Sequence, residues 1–171
     1  MTQTKIRVVV FSPSIVSTIE NPQAATVREI CQALIDLGCD VTHLEERGNA
    51  WYRAMLETDG SAPLRQFNLD FPLVRYRFYD LLRGMERSVW FGRELSTADL
   101  CVVYPGSPDE VVEEIAGFAV PQVVRVWDSP DCDLPEARKW LFAPIDADAD
   151  KRAAQVIAAV DAELSRRLTS S

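Results

Sequence analysis

Glu45 and Glu46, followed by Arg47 and then by Trp51 and Tyr52, form the densest group of chemistry-bearing side chains in this 171-residue sequence. Either carboxylate can serve as a general base or accept hydrogen bonds from sugar hydroxyls. Beside Arg47 the same two also read as an ion pair. Trp51 and Tyr52 carry flat apolar rings with a polar edge, suited to stacking on a sugar or base, or to stapling their own polar loop to the core. The single histidine, His43, lies just upstream in a strand-like run and reads either as a base or as a strand residue.

A second set of polar residues follows other apolar runs. Ser12 and Ser14 come directly after Ile6-Arg7-Val8-Val9-Val10-Phe11, and Gly106 and Ser107 come after Ala98-Asp99-Leu100-Cys101-Val102-Val103-Tyr104. Asp128 ends the run from Gln122 to Trp127. The catalytic candidates are thus Glu45, Glu46 and Asp128, and the candidate substrate-binding residues are Ser12, Ser14, Arg47, Trp51, Tyr52, Gly106, Ser107 and Asp128. The turn around Gly106 and Ser107 feeds a helix with Asp109 and Glu110 in its first turn, so it reads as an anion-binding turn or as a capped helix.

The runs that position these residues alternate between strand and helix patterns. Residues 6–11 predict strand 1. Residues 24–37 carry Val27, Ile30, Cys31, Leu34 and Ile35 at helical spacing, with Gly38 as the terminating residue. Residues 41–44 predict strand 2, and the tight strand-helix-strand spacing requires a right-handed crossover onto a parallel sheet. A short third strand is expected over residues 64–69. From residue 72 onward, Val74, Phe78, Leu81, Leu82, Met85 and Val89 fall on one face of a predicted long amphipathic helix, interrupted near Gly84. Residues 98–104 predict strand 4, residues 109–118 a helix with Asp109 as its cap, and residues 122–127 strand 5. Lys139-Trp140-Leu141-Phe142 reads as a short helix or docking segment, and residues 151–168 as a closing helix with Val156, Ile157, Val160 and Leu164 inward.

This pattern predicts one α/β domain over residues 1–171. Its architecture is a three-layer, Rossmann-like or flavodoxin-like sandwich with a mostly parallel five-stranded sheet in the order 3-2-1-4-5. In such a sheet a ligand lies beyond the carboxyl ends of the strands, which is where the candidate residues fall.

Composition narrows the function classes. A net charge of -8 argues against nucleic-acid binding, which draws on cationic contacts to phosphate. Eight arginines nevertheless fall between Arg47 and Arg93, a bias that suits either a protein partner, an anionic small ligand or solvated helix faces. No apolar run is long enough for a membrane span and no signal peptide is visible, so the cytoplasm is the expected compartment. The four cysteines, Cys31, Cys39, Cys101 and Cys132, lack Cys-x-x-Cys spacing, which favours reduced core thiols over a zinc site or a disulfide framework. With no glycine before Gly38, no Gly-x-Gly-x-x-Gly follows strand 1, and no Walker-type loop is present. The expectation is a chain without cofactor or metal.

The stretch from Asn21 to Arg53 resembles the N-terminal, acceptor-side domain of GT-B glycosyltransferases of the CgeB (spore-maturation) type. The shared order is a small-residue loop, an amphipathic helix, a Gly-His-x-Val-Thr entry to a strand (here Gly38-Cys39-Asp40-Val41-Thr42, with cysteine in place of the histidine) and a Leu-Glu-Arg…Trp-Tyr segment (here Leu44-Glu45-Glu46-Arg47 and Trp51-Tyr52). Weaker similarity lies at residues 97–104 and at Val126-Trp127-Asp128. Where the family has a glycine- and histidine-containing loop, this sequence has Asn21-Pro22-Gln23, so no base is assigned from that position. The resemblance implies a GT-B fold half and acceptor-side geometry. A complete enzyme of that type carries a second, donor-binding domain, which 171 residues do not accommodate, so the expectation is a chain inactive as a transferase alone. It would act with a protein partner, as a homo-oligomer, or as a subunit binding a sugar- or nucleotide-like ligand. Two alternatives remain open: a nucleoside deoxyribosyltransferase-like enzyme with Glu110, Glu113 or Glu114 as nucleophile, and a non-catalytic protein-interaction module.

Overall fold

The computed structural model describes residues 5–17, 22–104, 106–118, 122–127 and 140–144, together with Ala158, Asp161, Ala162, Ser165 and Thr169. Its centre is β1 (Arg7–Phe11), a strand of alternating inward faces. Val8 and Val10 enter one apolar cluster and Val9 and Phe11 the other, as the two-residue period of a strand buried on both sides requires. On one side of β1 lies β2 (Asp40–Glu46) and then β3 (Arg75–Tyr79); on the other lies β4 (Leu100–Val103), all parallel. This four-stranded core, in the order β3-β2-β1-β4, is Rossmann-like and follows the expected strand order. Beyond β4, β5 (Gln122–Trp127) and β6 (Trp140–Pro144) continue the parallel sheet to six strands.

Helices cover both faces. α1 (Pro22–Asp36) presents Val27, Ile30, Cys31 and Leu34 to Val8, Val10 and Val41. It ends as Gly38 predicts: at φ +86° this residue turns the chain, while Gly38 N–H bonds Ile35 O at 2.8 Å and Cys39 N–H bonds Leu34 O at 3.0 Å. That pairing closes the orphan carbonyls of the last turn. The same face is completed by Met55 of α2 (Ala50–Asp59) and Phe67 of α3 (Ala62–Asp70). The opposite face packs Phe91 and Leu95 of α4 (Gly84–Leu95) and Val111, Val112 and Ile115 of α5 (Asp109–Gly117) against Phe11, Leu44, Cys101 and Val103. Cys31, Cys39 and Cys101 are buried thiols, and Cys132 lies outside the described residues.

The middle of the chain departs from expectation. Residues 64–69 belong to helix α3, not to a strand, because Pro63 sits in the first turn, where its missing N–H costs nothing. The third strand is instead Arg75-Tyr76-Arg77-Phe78-Tyr79, inside the stretch expected to be a long helix. Its alternation of arginine with aromatic residues has the period of a strand. Phe78 and Leu82 therefore do not share a helical face, and Gly84 opens a helix instead of interrupting one. Trp51 and Tyr52 occupy the first turn of α2 and not a loop. The segment around Trp140 forms strand β6 and not a helix. Asp109 is the first residue of α5, preceded by Pro108, so it does not cap the helix through its side chain. Ala158, Asp161, Ala162, Ser165 and Thr169 are helical and exposed, whereas the predicted inward residues of the closing helix lie outside the described residues.

Candidate functional site

The carboxyl ends of β1, β2 and β3 meet around a buried polar seam. Glu45 is the last buried residue of β2 and has no exposed surface. Its Oε1 accepts from Asn49 Nδ2 at 2.8 Å, and its Oε2 accepts from Ile15 N–H and from the Tyr76 hydroxyl, both at 3.1 Å. Ser14 adds a further side-chain hydrogen bond to the carboxylate. Burial pushes the Glu45 carboxyl up to about 7, against the opposing pull of these four donors, of which Asn49 is the strongest. Glu45 therefore ties together the loop after β1, the turn before α2 and the edge strand β3. No ion pair with Arg47 forms; the Arg47 guanidinium is exposed and sits 5.8 Å from the ring centroid of Phe78.

Each partner is positioned by local sequence. Asn49 is the N-cap of α2: its Oδ1 accepts from Tyr52 N–H at 2.8 Å, and its amide group turns back to Glu45 and to Glu46 O at 2.7 Å. Ser14 Oγ accepts from Ser17 N–H at 3.1 Å, folding the loop after β1 on itself. Tyr76 lies over His43, with ring centroids 5.7 Å apart, and the buried His43 Nε2 shares a 2.8 Å hydrogen bond with Ser12 Oγ. Burial lowers the His43 pKa to about 3, so the ring is neutral, and among the described residues its Nδ1 has no hydrogen-bond partner.

Serine, histidine and glutamate within two strand ends invite comparison with a hydrolytic triad. The geometry does not form one. Glu45 bonds Tyr76, Asn49 and the loop backbone, not His43, and Ser12 is only 2% exposed. A nucleophile needs access to substrate and a base that is itself oriented by a third group.

The remaining candidates divide between packing and rim. Tyr52 is buried, its ring 4.6 Å from that of Phe78, and so staples α2 to β3. Trp51, in the same turn, is half-buried. Glu46 is half-buried; its pKa is raised by burial, and Asp80 and Glu110 push it further up while Arg53 pulls it down. Gly106 has φ +84°, and a Cβ there would stand 2.7 Å from Pro13 Cγ, so the loop after β4 closes onto the loop after β1 at the point where strand order reverses. Ser107 Oγ is buried there, with no hydrogen-bond partner among the described residues. Asp128 lies outside the described residues. The structure thus brings Ser12, Ser14, Glu45 and Tyr52 to one seam and Gly106 to its edge, and leaves Glu46, Arg47 and Trp51 on the rim.

A cleft of about 700 Å³ opens beside this seam, on the α1–α3 face. Val16, Pro63, Phe67 and Phe71 line it together with Arg28, Asp59, Gln66 and Asp70. Arg28 Nη1 donates to Ile15 O at 2.9 Å, and burial lowers the guanidinium's pKa against the opposing pull of the Glu29 carboxylate. Sequence reading did not single out Arg28, Asn49 or Tyr76. Asn49 was recoverable as an N-cap, whereas Arg28 and Tyr76 become visible only once the strands are placed.

The carboxylates of the deoxyribosyltransferase alternative are arranged differently. Glu114 accepts from Arg87 Nε at 2.8 Å and from the Ser88 hydroxyl, Glu110 lies 3.6 Å from Arg87 Nη1, and Glu113 is exposed. Among the described residues no helix is long and apolar enough to cross a membrane. No known protein family matches the sequence, and no curated protein matches it.

Proposed function

We propose that this chain is a glycosyltransferase-like, acceptor-side domain that binds a sugar- or nucleotide-like ligand and does not complete glycosyl transfer alone. The observation that carries this reading is the division of labour around Glu45. The strand-end carboxylate with the most perturbed pKa is satisfied by four donors and closed to solvent, so it fixes loop geometry and does not abstract a proton. Around it stand the exposed Arg47 and the half-buried Arg28 and Trp51, groups suited to holding a ligand. The resemblance to CgeB-type acceptor-side domains supports the same reading. Transfer requires donor and acceptor held together in one cleft.

The test is to incubate the purified chain with UDP-glucose and follow both turnover and amide chemical shifts. Shifts around Ile15, Arg28 and Trp51 without release of UDP are expected. Turnover in the absence of any second protein would overturn the proposal, and so would an unperturbed spectrum at millimolar UDP, glucose and UDP-glucose.

A further inference from the structure

Helix α4 carries two faces of opposite character. Arg87, Phe91 and Leu95 are buried, as its contact with the sheet requires. On the opposite side Met85 is 86% and Val89 66% exposed, and Leu82, just before the helix, is 95% exposed. Met85 and Val89, at spacing i and i+4, form an exposed apolar strip of a kind uncommon on a face that meets only water, and Leu82 lies exposed in the turn before it. Together with Trp90, Glu86 and Arg93, Met85 and Val89 bound a shallow groove of about 410 Å³.

The charges flanking this strip are arranged in a self-complementary way. Glu86 stands one turn before the centre of the groove and Arg93 one turn after it. Glu86 has only an exposed pair with Arg83, at 3.2 Å, and among the described residues no carboxylate lies within 4.0 Å of Arg93. When two such helices lie antiparallel across a twofold axis beside Val89, Val89 meets its own copy. Each Glu86 then faces Arg93 of the other copy, so one contact satisfies both charges twice. A parallel arrangement would set like charges against each other. We propose that this face of α4 is a self-association surface, occupied by a second copy of the chain in antiparallel register. A strip of this length covers on the order of 500 Å² per copy, at the lower end for specific interfaces, as in a weak, reversible contact. The inference rests on α4 alone and is independent of the ligand-binding reading.

Sedimentation velocity of the full chain from about 1 to 200 μM tests it, because a weak, reversible dimer populates with concentration. A monomer–dimer equilibrium is expected, with Val89→Glu monomeric throughout and unchanged in melting temperature, since Val89 contributes little to the core. Glu86→Arg and Arg93→Glu should each weaken the dimer about tenfold or more at low salt, and the double variant should recover most of that loss. A monomer at every concentration overturns the proposal and leaves the strip to a different protein. Dimerisation that survives Val89→Glu, or a double charge swap no better than either single change, overturns the antiparallel contact.

Discussion

The two faces of this sheet are built from the same strands by different rules. Under α4 and α5 the core is apolar: Phe11 meets Phe91 edge-on at 5.4 Å and Tyr79 at 6.1 Å, with Leu44, Cys101 and Val103 around them. Under α1, α2 and α3 the strand ends instead bury Ser12, His43 and Glu45. An apolar core tolerates rearrangement as long as volume is kept, whereas a buried carboxyl with four donors fixes the direction of each group that reaches it. The polar seam thus specifies the loops beside the candidate site, at the end of an α1–α3 face whose own apolar cluster is as extensive as the one under α4 and α5.

The largest expected effect falls on the apolar face. Phe11→Ala removes a fully buried ring from the aromatic cluster and should destabilise the fold by about 3–5 kcal/mol, read from denaturant unfolding. Loss of less than about 1 kcal/mol would show that the seam, and not this cluster, holds the sheet together. Glu45→Ala comes next, because it orphans Ile15 N–H and the Tyr76 hydroxyl, removes one of the two acceptors of Asn49 Nδ2 and leaves a cavity. About 3 kcal/mol is expected. Hydrogen exchange separates the two faces: Glu45→Ala should speed exchange at Ile15 and Tyr52 more than at Phe91, and uniform acceleration would deny the seam its local role.

The seam also predicts a pH dependence that the apolar face lacks. Glu45 titrates at about 7 in the folded chain against an ordinary 4.5, so the folded state holds the extra proton and this group's contribution is full below pH 4.5 and lost as pH rises toward 7. His43 titrates at about 3 against an ordinary 6.5, so the unfolded state holds the extra proton and stability falls as pH drops below 6.5. Between pH 4.5 and 6.5 the two slopes oppose each other, and the native chain should be nearly flat there. Glu45→Gln leaves His43 uncompensated, and stability should then fall by about 1.4 kcal/mol per pH unit below pH 6.5. Parallel curves for the native chain and the variant, from urea melts across that range, would contradict the opposed pair.

Much of this arrangement was legible in the sequence, for identifiable reasons. The runs at β1, β2 and β4 are β-branched and bounded by turn residues, and Gly38 marks a helix end through a backbone angle that few other residues adopt. The stretch from Pro63 to Leu95 was misread because its apolar residues match two periods at once. Val74, Phe78, Leu82, Met85 and Val89 have helical spacing, yet the aromatic alternation of β3 interrupts them, and Leu82, Met85 and Val89 end on a surface instead of a core. The candidate site was half legible. Chain topology placed Ser12, Glu45 and Trp51 at strand ends, but whether a carboxylate there is a base or a buried keystone depends on which donors reach it. Those donors, Ile15 N–H and the Tyr76 hydroxyl, come from elements distant in sequence.

The smallest expected effect on stability sharpens the comparison at the rim. Trp51 shares the first turn of α2 with Tyr52, but Tyr52 is buried against Phe78 while Trp51 is half-exposed. Tyr52→Ala should therefore cost about 2–3 kcal/mol of folding stability, as loss of a packed aromatic does. Trp51→Ala should cost under about 1 kcal/mol, within the range of partly exposed positions. Binding should rank them the other way. If a sugar or base stacks on the exposed ring, Trp51→Ala weakens it by about 1 kcal/mol or more, and Tyr52→Ala acts mainly through unfolding. Isothermal titration of UDP-glucose into both variants, under conditions where each remains folded, checks the ranking. Equal affinity for the native chain and Trp51→Ala would remove the indole from the site and leave Arg28 and its cleft as the surface that holds the ligand.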